Sequence, residues 1–144
     1  MENPLLELQE YENLLEALKK AKGPLQAAGT LESQKVHLMH ELGEDGGFPW
    51  KLVVTYDEQR AKEIYDDFRS FTRQVWLYPA KDLLFYAADI HGNLMTRQRI
   101  SVLRHLMEDE GGVVVTTIDG LMDHLMPLAF LKQHAVTVEC GQVI

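Results

Sequence analysis

Apolar residues recur every three or four positions near the start of the chain, a spacing that predicts an amphipathic helix. The stripe consists of Leu5, Leu8, Tyr11, Leu14, Leu15 and Leu18. Asn3-Pro4 offers a capping residue followed by proline at the first helical position, and Gly23-Pro24 offers a stop. We therefore predict a helix within residues 1–23 that precedes the main domain.

After this helix, short apolar or β-branched runs alternate with patterns of helical period. Strands are predicted over residues 24–28, 51–56, 74–78, 113–117 and 135–139. Helices are predicted over residues 33–42, 57–72 and 118–126, with a further short helix beginning at Pro127. Such alternation favours one α/β domain over residues 24–144, in which helices cover both faces of a parallel sheet.

A long connection over residues 81–93 is predicted to end at Gly92-Asn93 and to lead into a helix that carries arginines. Phe85-Tyr86 in this connection is the first exposed patch that we expect to contact DNA or another domain. The helix carries Arg97, Arg99 and Arg104, which are the best local candidates for such a contact. More often, arginines on such a helix simply form its solvent-exposed face.

Composition restricts the class of protein. With 144 residues and 46% apolar content, the chain is long enough for one domain with a core. Its net charge of −8 disfavours tight binding of nucleic acid by this segment alone. Neither a membrane span nor a signal peptide is present in the sequence, so we expect a cytoplasmic protein. The lone Cys140 is expected to be a small buried apolar group without a catalytic role.

Residues 29–36 have the length and the lysine of a phosphate-binding loop, whose pattern is G-x-x-x-x-G-K-[ST]. Gly29 and Lys35 fit that pattern. Gln34 replaces the second glycine, where a side chain crowds the approach of backbone to phosphate, and Val36 replaces the hydroxyl that binds magnesium. We predict that this glycine-lysine loop binds Mg-ATP poorly. An ordinary junction between strand, turn and helix is the alternative.

Two other groups of residues suggest a metal site, but a simpler explanation is stronger for each. Asp57 and Glu58 follow an apolar strand, as magnesium ligands do in ATPases, yet they also stand where a helix begins and would cap it. His37 and His40 lie three apart on a predicted helix, without a third ligand nearby in sequence. We therefore predict no metal site and no catalytic residue.

The order of four segments resembles one known family. These segments are the glycine-lysine loop, residues 52–57 before a helix, residues 78–82 with Tyr86, and residues 97–106 leading to 113–117. Together they resemble the N-terminal domain of the bacterial transcription-repair coupling factors (Mfd), which is similar to the first domain of UvrB. The resemblance implies a parallel-sheet, helicase-like fold of the P-loop type in three layers, with an extra N-terminal helix.

The resemblance also implies a function. Members of this family are large ATP-driven DNA translocases that displace stalled RNA polymerase and recruit UvrA for nucleotide excision repair. The motor domains that use ATP and Mg²⁺ lie elsewhere in such proteins, and the module matched by this chain is catalytically dead. Its partners would be the other domains of the parent protein, and through that parent UvrA, RNA polymerase and DNA. The chain stops soon after a predicted strand, which we interpret as a sign that it is part of a longer protein.

Two alternatives stay open at the level of sequence. The segment could be a weak nucleotide-binding half-site completed by another domain, with Lys35 on phosphate and Asp57 or Glu58 near magnesium. It could also be a free-standing α/β domain that binds a partner through a patch such as Phe85-Tyr86.

Overall fold

The computed structural model describes residues 4–80, 89–125 and 127–134, without the side chains of 89–95 and 128. A short 3-10 turn at Pro4–Glu7 precedes the first α-helix. The helices are α1 (Gln9–Lys20), α2 (Glu32–Asp45), α3 (Glu58–Phe68), α4 (Asp89–Glu108), α5 (Ile118–Met122) and α6 (Leu128–His134). The strands are β1 (Trp50–Thr55), β2 (Val75–Tyr78) and β3 (Gly112–Thr117).

The three strands form one parallel sheet in the order β1-β3-β2. Every residue of β3 is buried, because β3 pairs with both neighbours and helices lie on both sheet faces. Val113 and Val115 point to the face covered by α2 and α3, where they join a core with Phe68. Val114 points to the opposite face and packs with Val102 of α4. The predicted α/β class with a covered parallel sheet is confirmed.

The predicted strand over residues 24–28 is wrong. These residues form no regular structure and all are exposed. The run contains no β-branched residue, and Leu25, its largest apolar side chain, remains 47% exposed. Because a phosphate-binding loop normally follows a strand, this result removes one of the elements that supported the loop assignment.

Several helix boundaries also differ from the prediction, and α2 continues to Asp45 beyond its predicted end at residue 42. Helix α4 begins at Asp89 and runs through Gly92-Asn93, whereas the sequence predicts that these two residues end the preceding connection. A glycine inside a helix costs only about 1 kcal/mol, so neighbouring turns and packing can override it. Helices α3 and α5 are shorter than predicted, since they end at Phe68 and Met122. The predicted strand at 135–139, and also Cys140, lie outside the described residues.

The predicted N-terminal helix is present in two parts, the 3-10 turn and α1. Tyr11 is the one buried residue of α1, and its hydroxyl donates a hydrogen bond of 2.6 Å to Asp45 Oδ2 at the end of α2. This contact joins α1 to the main domain. Within the described ranges, no helix combines the length and the apolar character needed to cross a membrane.

We expect Phe68→Ala to lower the free energy of unfolding by about 3–5 kcal/mol, because it opens a cavity in the core under α3. Phe68 is 1% exposed, whereas Phe130 on α6 is 46% exposed and provides a matched control. Urea unfolding followed by circular dichroism measures both variants. A Phe130→Ala variant that loses as much stability as Phe68→Ala would contradict this assignment of the core.

Tyr78→Phe is expected to leave stability at neutral pH unchanged or to raise it by up to about 1 kcal/mol. Tyr78 is 5% exposed, and its hydroxyl has no hydrogen-bond partner among the described residues. Burial raises the pKa of Tyr78 above its ordinary value, and the nearby Arg99 charge opposes this shift. The fold therefore disfavours the phenolate, and the wild-type chain should lose stability as the pH rises above about 10. Urea midpoints at neutral and alkaline pH should show a smaller alkaline loss for the phenylalanine variant.

Candidate functional site

Most of the predicted glycine-lysine loop is helical, because α2 begins at Glu32 and includes Gln34, Lys35 and Val36. The start of α2 lies beside the carboxyl end of β1, and this end of a parallel α/β sheet is where ligands usually bind. Gly29 has φ +90°, a left-handed conformation that favours glycine. A shallow cleft of about 480 Å³ lies next to the first turn of α2. Its lining includes Lys35 from α2, Thr55 and Tyr56 from the end of β1, and Arg60 from α3.

Gln34 turns back towards its own backbone. Its side-chain oxygen accepts a long hydrogen bond of 3.4 Å from the backbone N–H of Leu31, the residue that precedes α2. This contact is half of a capping box, since a leucine side chain cannot supply the reciprocal bond. The position that would be a bare glycine in an active loop therefore carries a side chain that helps to start the helix.

Lys35 already has a negatively charged partner. Its ammonium group contacts Glu32 Oε1, and the other oxygen of the same carboxylate contacts Arg60 Nη2. Arg60 Nη1 also pairs with Glu63 at 3.0 Å. The hydrogen bond from Lys35 lowers the pKa of Glu32 below its ordinary value, so this carboxylate is charged at neutral pH.

Glu32 therefore occupies the position between two cations that a phosphate group would need. Sequence analysis missed both Glu32 and Arg60. Glu32 stands one residue before the helix predicted over residues 33–42, whereas the observed helix begins at Glu32. Its spacing of three residues from Lys35 is the signal that a longer predicted helix would have offered, because such pairs attract each other on a helix surface. Arg60 comes from a different helix, and nothing in the sequence pattern places it there.

Val36 faces the interior of the protein. It is 2% exposed and belongs to the core cluster that contains Ala61 and Phe68. A threonine at this position would place its hydroxyl in the core, where an unpaired polar group costs roughly 1–3 kcal/mol. The position that binds magnesium in an active loop here holds α2 against the sheet.

Asp57 and Glu58 both have structural partners. Asp57 caps α3 by accepting a hydrogen bond of 2.7 Å from the backbone N–H of Arg60, which confirms the capping interpretation for this residue. Glu58 Oε1 accepts hydrogen bonds from the backbone N–H of Ala80 at 3.0 Å and from the hydroxyl of Thr117 at 3.3 Å. Glu58 thus connects the start of α3 to the ends of β2 and β3.

The three candidate arginines do not form one surface. Arg99 has a side chain that is 13% exposed, and it donates to the backbone oxygen of Pro79 at 2.8 Å and to Asp123 at 2.7 Å. Arg97 is exposed, and the exposed Arg104 pairs with Glu108 at 3.1 Å on the same helix. Phe85 and Tyr86 lie outside the described residues. Arg99 therefore has a structural contact, while Arg97 and Arg104 stay available to solvent.

His37 and His40 share an aromatic neighbour. Phe71 stacks against the His37 ring at 5.3 Å and contacts the His40 ring at the same distance with a tilt of 30°. His37 also lies 3.6 Å from Glu41. Within the part of the chain that the structure describes, neither histidine belongs to a group of three metal-ligating side chains.

Comparison with known proteins finds distant relatives of one kind. The transcription-repair-coupling factor of Staphylococcus epidermidis is 25% identical over 95 residues, which is 65% of this chain and 8% of that protein. The transcription-repair-coupling factor of Escherichia coli is 28% identical over 107 residues, which is 73% of this chain and 9% of that protein. The chain thus spans less than a tenth of the length of these curated relatives.

Neither the protein-family models nor the solved structures contain a match to this chain. The distant similarity to transcription-repair-coupling factors is therefore carried by sequence alone. It agrees with the family resemblance of the four segments, and the UvrB-like assignment of the domain stays a prediction.

We expect Glu32→Gln to create measurable binding of inorganic pyrophosphate, since the variant removes the carboxylate that pairs with both Lys35 and Arg60, while Arg60 keeps its contact with Glu63. Calorimetric titration should show saturable heat for this variant, little for the wild type, and none for Glu32→Gln combined with Lys35→Ala. Glu16→Gln is the matched control, because Glu16 forms a similar exposed pair with Lys20 at 2.8 Å on α1. Equal binding by the Glu16 and Glu32 variants would show that Glu32 does not block the site.

Proposed function

We propose that this chain is a non-catalytic, UvrB-like module of a transcription-repair coupling factor. In this proposal the parent protein is an ATP-dependent DNA translocase that displaces stalled RNA polymerase and recruits UvrA for nucleotide excision repair. Similarity to the transcription-repair-coupling factors of two bacteria supports the pathway. ATP and Mg²⁺ would be used by motor domains outside these residues.

The observation that carries the non-catalytic part is the pairing of Lys35 and Arg60 with Glu32. A lysine that binds phosphate must exchange its present partner for the ligand, and here that partner lies in the same turn of the helix. Val36 adds a second obstacle, because its side chain is buried in the core and offers no oxygen to magnesium. Both features support a module that acts through contacts and has no need to turn over nucleotide.

The sheet face opposite α3 carries a candidate surface for contacts with other domains. Leu52 is 58% exposed and Leu121 is 48% exposed, although both line an apolar cleft of about 260 Å³ beside α4. Leu125, at 49% exposure, extends this surface. Contiguous exposed apolar side chains usually mark an interface, which supports packing against other domains of a parent protein.

A weak nucleotide half-site is the second candidate. The cleft at the carboxyl end of β1 brings Lys35 and Arg60 to the same wall, and both are cations that suit phosphate. A partner domain that drew Glu32 away would convert this wall into an anion site. The two candidates differ in one respect, which is whether Lys35 is needed for activity.

Both candidates can be tested in cells that encode this chain by measuring the repair of ultraviolet damage separately in the transcribed and the non-transcribed DNA strand. Deleting its coding sequence should lower repair of the transcribed strand to the rate of the other strand. Complementation with a gene carrying Lys35→Ala should restore the difference fully if the module is non-catalytic. Complementation with Phe68→Ala should fail, since that variant opens a cavity in the core and destabilises the domain.

Two results would contradict the proposal. An unchanged strand difference after deletion would remove the chain from transcription-coupled repair. The nucleotide half-site would be favoured if the Lys35→Ala strain lost the faster repair of the transcribed strand while the wild type kept it, with equal protein levels in both strains.

A further inference from the structure

A second cluster of polar side chains, one histidine and two carboxylates, lies at the other end of the sheet, where β1 and β3 begin. His105 and Glu108 stand in the last turn of α4, and Glu110 follows in the loop before β3. His105 Nδ1 is 3.3 Å from Glu110 Oε2 and 3.8 Å from Glu108 Oε2. One ligand atom from each of the three residues falls within 4.8 Å of the others. Neither the sequence analysis nor the proposed function uses this group.

The imidazole ring of His105 is held in place by aromatic packing. It stacks on the ring of Trp76 with centroids 4.5 Å apart and an angle of 28°. Trp76 in turn lies 5.7 Å from Trp50 and against Gly112, where a Cβ atom would come within 2.3 Å of the Trp76 ring. The ring is therefore oriented before any ligand arrives, which lowers the cost of binding.

We propose that His105, Glu108 and Glu110 form a site for a divalent transition-metal cation of the Zn²⁺ type. Metal bonds to histidine nitrogen and carboxylate oxygen are about 2.0–2.2 Å long, so ligand atoms around a tetrahedral ion lie roughly 3.3–3.6 Å apart. The distance from Nδ1 to Glu110 Oε2, 3.3 Å, lies at the lower edge of that range, and the distance to Glu108 Oε2, 3.8 Å, lies slightly above it. One nitrogen and two oxygens leave the fourth position to water, and the nitrogen favours Zn²⁺ over Mg²⁺ or Ca²⁺.

The surroundings also favour a cation. The carboxyl end of α4 carries the partial negative charge of the helix dipole, and the whole chain has a net charge of −8. Arg104 is the nearest competitor, and its Nε pairs with Glu108 Oε1 at 3.1 Å. The second oxygen of Glu108 is the one that faces His105. Asp109 is already engaged, because its Oδ1 accepts a hydrogen bond of 2.9 Å from Trp50 Nε1.

Intrinsic fluorescence offers a direct test, since the sequence contains two tryptophans and both lie at this cluster. Co²⁺ titrated into the chain should quench tryptophan emission in a saturable way that EDTA reverses. Zn²⁺ should compete with Co²⁺ and restore the emission. The background should carry Cys140→Ser, which removes the one thiol as a possible ligand.

Two variants separate a ligand role from a packing role. His105→Gln should weaken Co²⁺ binding by at least about tenfold. Glu110→Gln should weaken it similarly while leaving the stack of His105 on Trp76 in place. His37→Gln is the control, because His37 forms a comparable pair with Glu41 at 3.6 Å and should keep the wild-type midpoint.

Absence of quenching at millimolar Co²⁺ would overturn the proposal. So would equal midpoints for the wild type and the His105 and Glu110 variants, or an equal loss in the His37 control. This test does not depend on the function proposed above, because it measures metal binding by the chain alone.

Discussion

The burial of β3 is the constraint on which the other elements depend. Its six residues are all buried, so the strand must find hydrogen-bonding neighbours on both sides and apolar cover on both faces. β1 and β2 supply the neighbours, and α3 and α4 supply much of the cover. Thr116 shows how closely the strand is fitted, because its buried hydroxyl donates a hydrogen bond of 2.8 Å to the backbone oxygen of Tyr78. Few substitutions in β3 can therefore be neutral.

The same packing restricts what the glycine-lysine loop can do. Val36 joins the core one residue after Lys35, so the rotation of α2 about its axis is fixed by apolar contacts. That rotation directs Lys35 towards Glu32 and the first turns of α3. Lys35 can therefore exchange Glu32 for another anion without disturbing the core, whereas a substitution of Val36 alters the packing of the core. In an active phosphate-binding loop both positions contact the bound nucleotide or its metal. In this fold Lys35 lies on the surface and Val36 lies in the core.

The elements that could be predicted from sequence are those whose pattern is set by burial. The run of valines predicts the buried strand β3, and the apolar residues at helical spacing predict α3. Both predicted elements match the observed ones to within a few residues. The strand predicted over residues 24–28 is wrong because a short apolar run without β-branched residues does not need the burial that a strand provides. Charge on a helix predicts exposure, and this is wrong for Arg99, because its guanidinium carbon lies 4.4 Å from the centre of the Tyr78 ring. Contacts between distant elements, such as Arg60 with Glu32, leave no periodic trace in sequence.

Helix α1 is attached differently from the other long helices. One of its twelve residues is buried, and the hydrogen bond from Tyr11 to Asp45 joins it to the end of α2. Segments with few buried apolar side chains open at a lower free energy than the sheet core. We therefore expect the N-terminal helix to unfold locally as a separate unit, so that its amide protons exchange with solvent while those of the sheet remain protected. In a larger assembly, such a unit can move to a new partner while the domain that carries it keeps its fold.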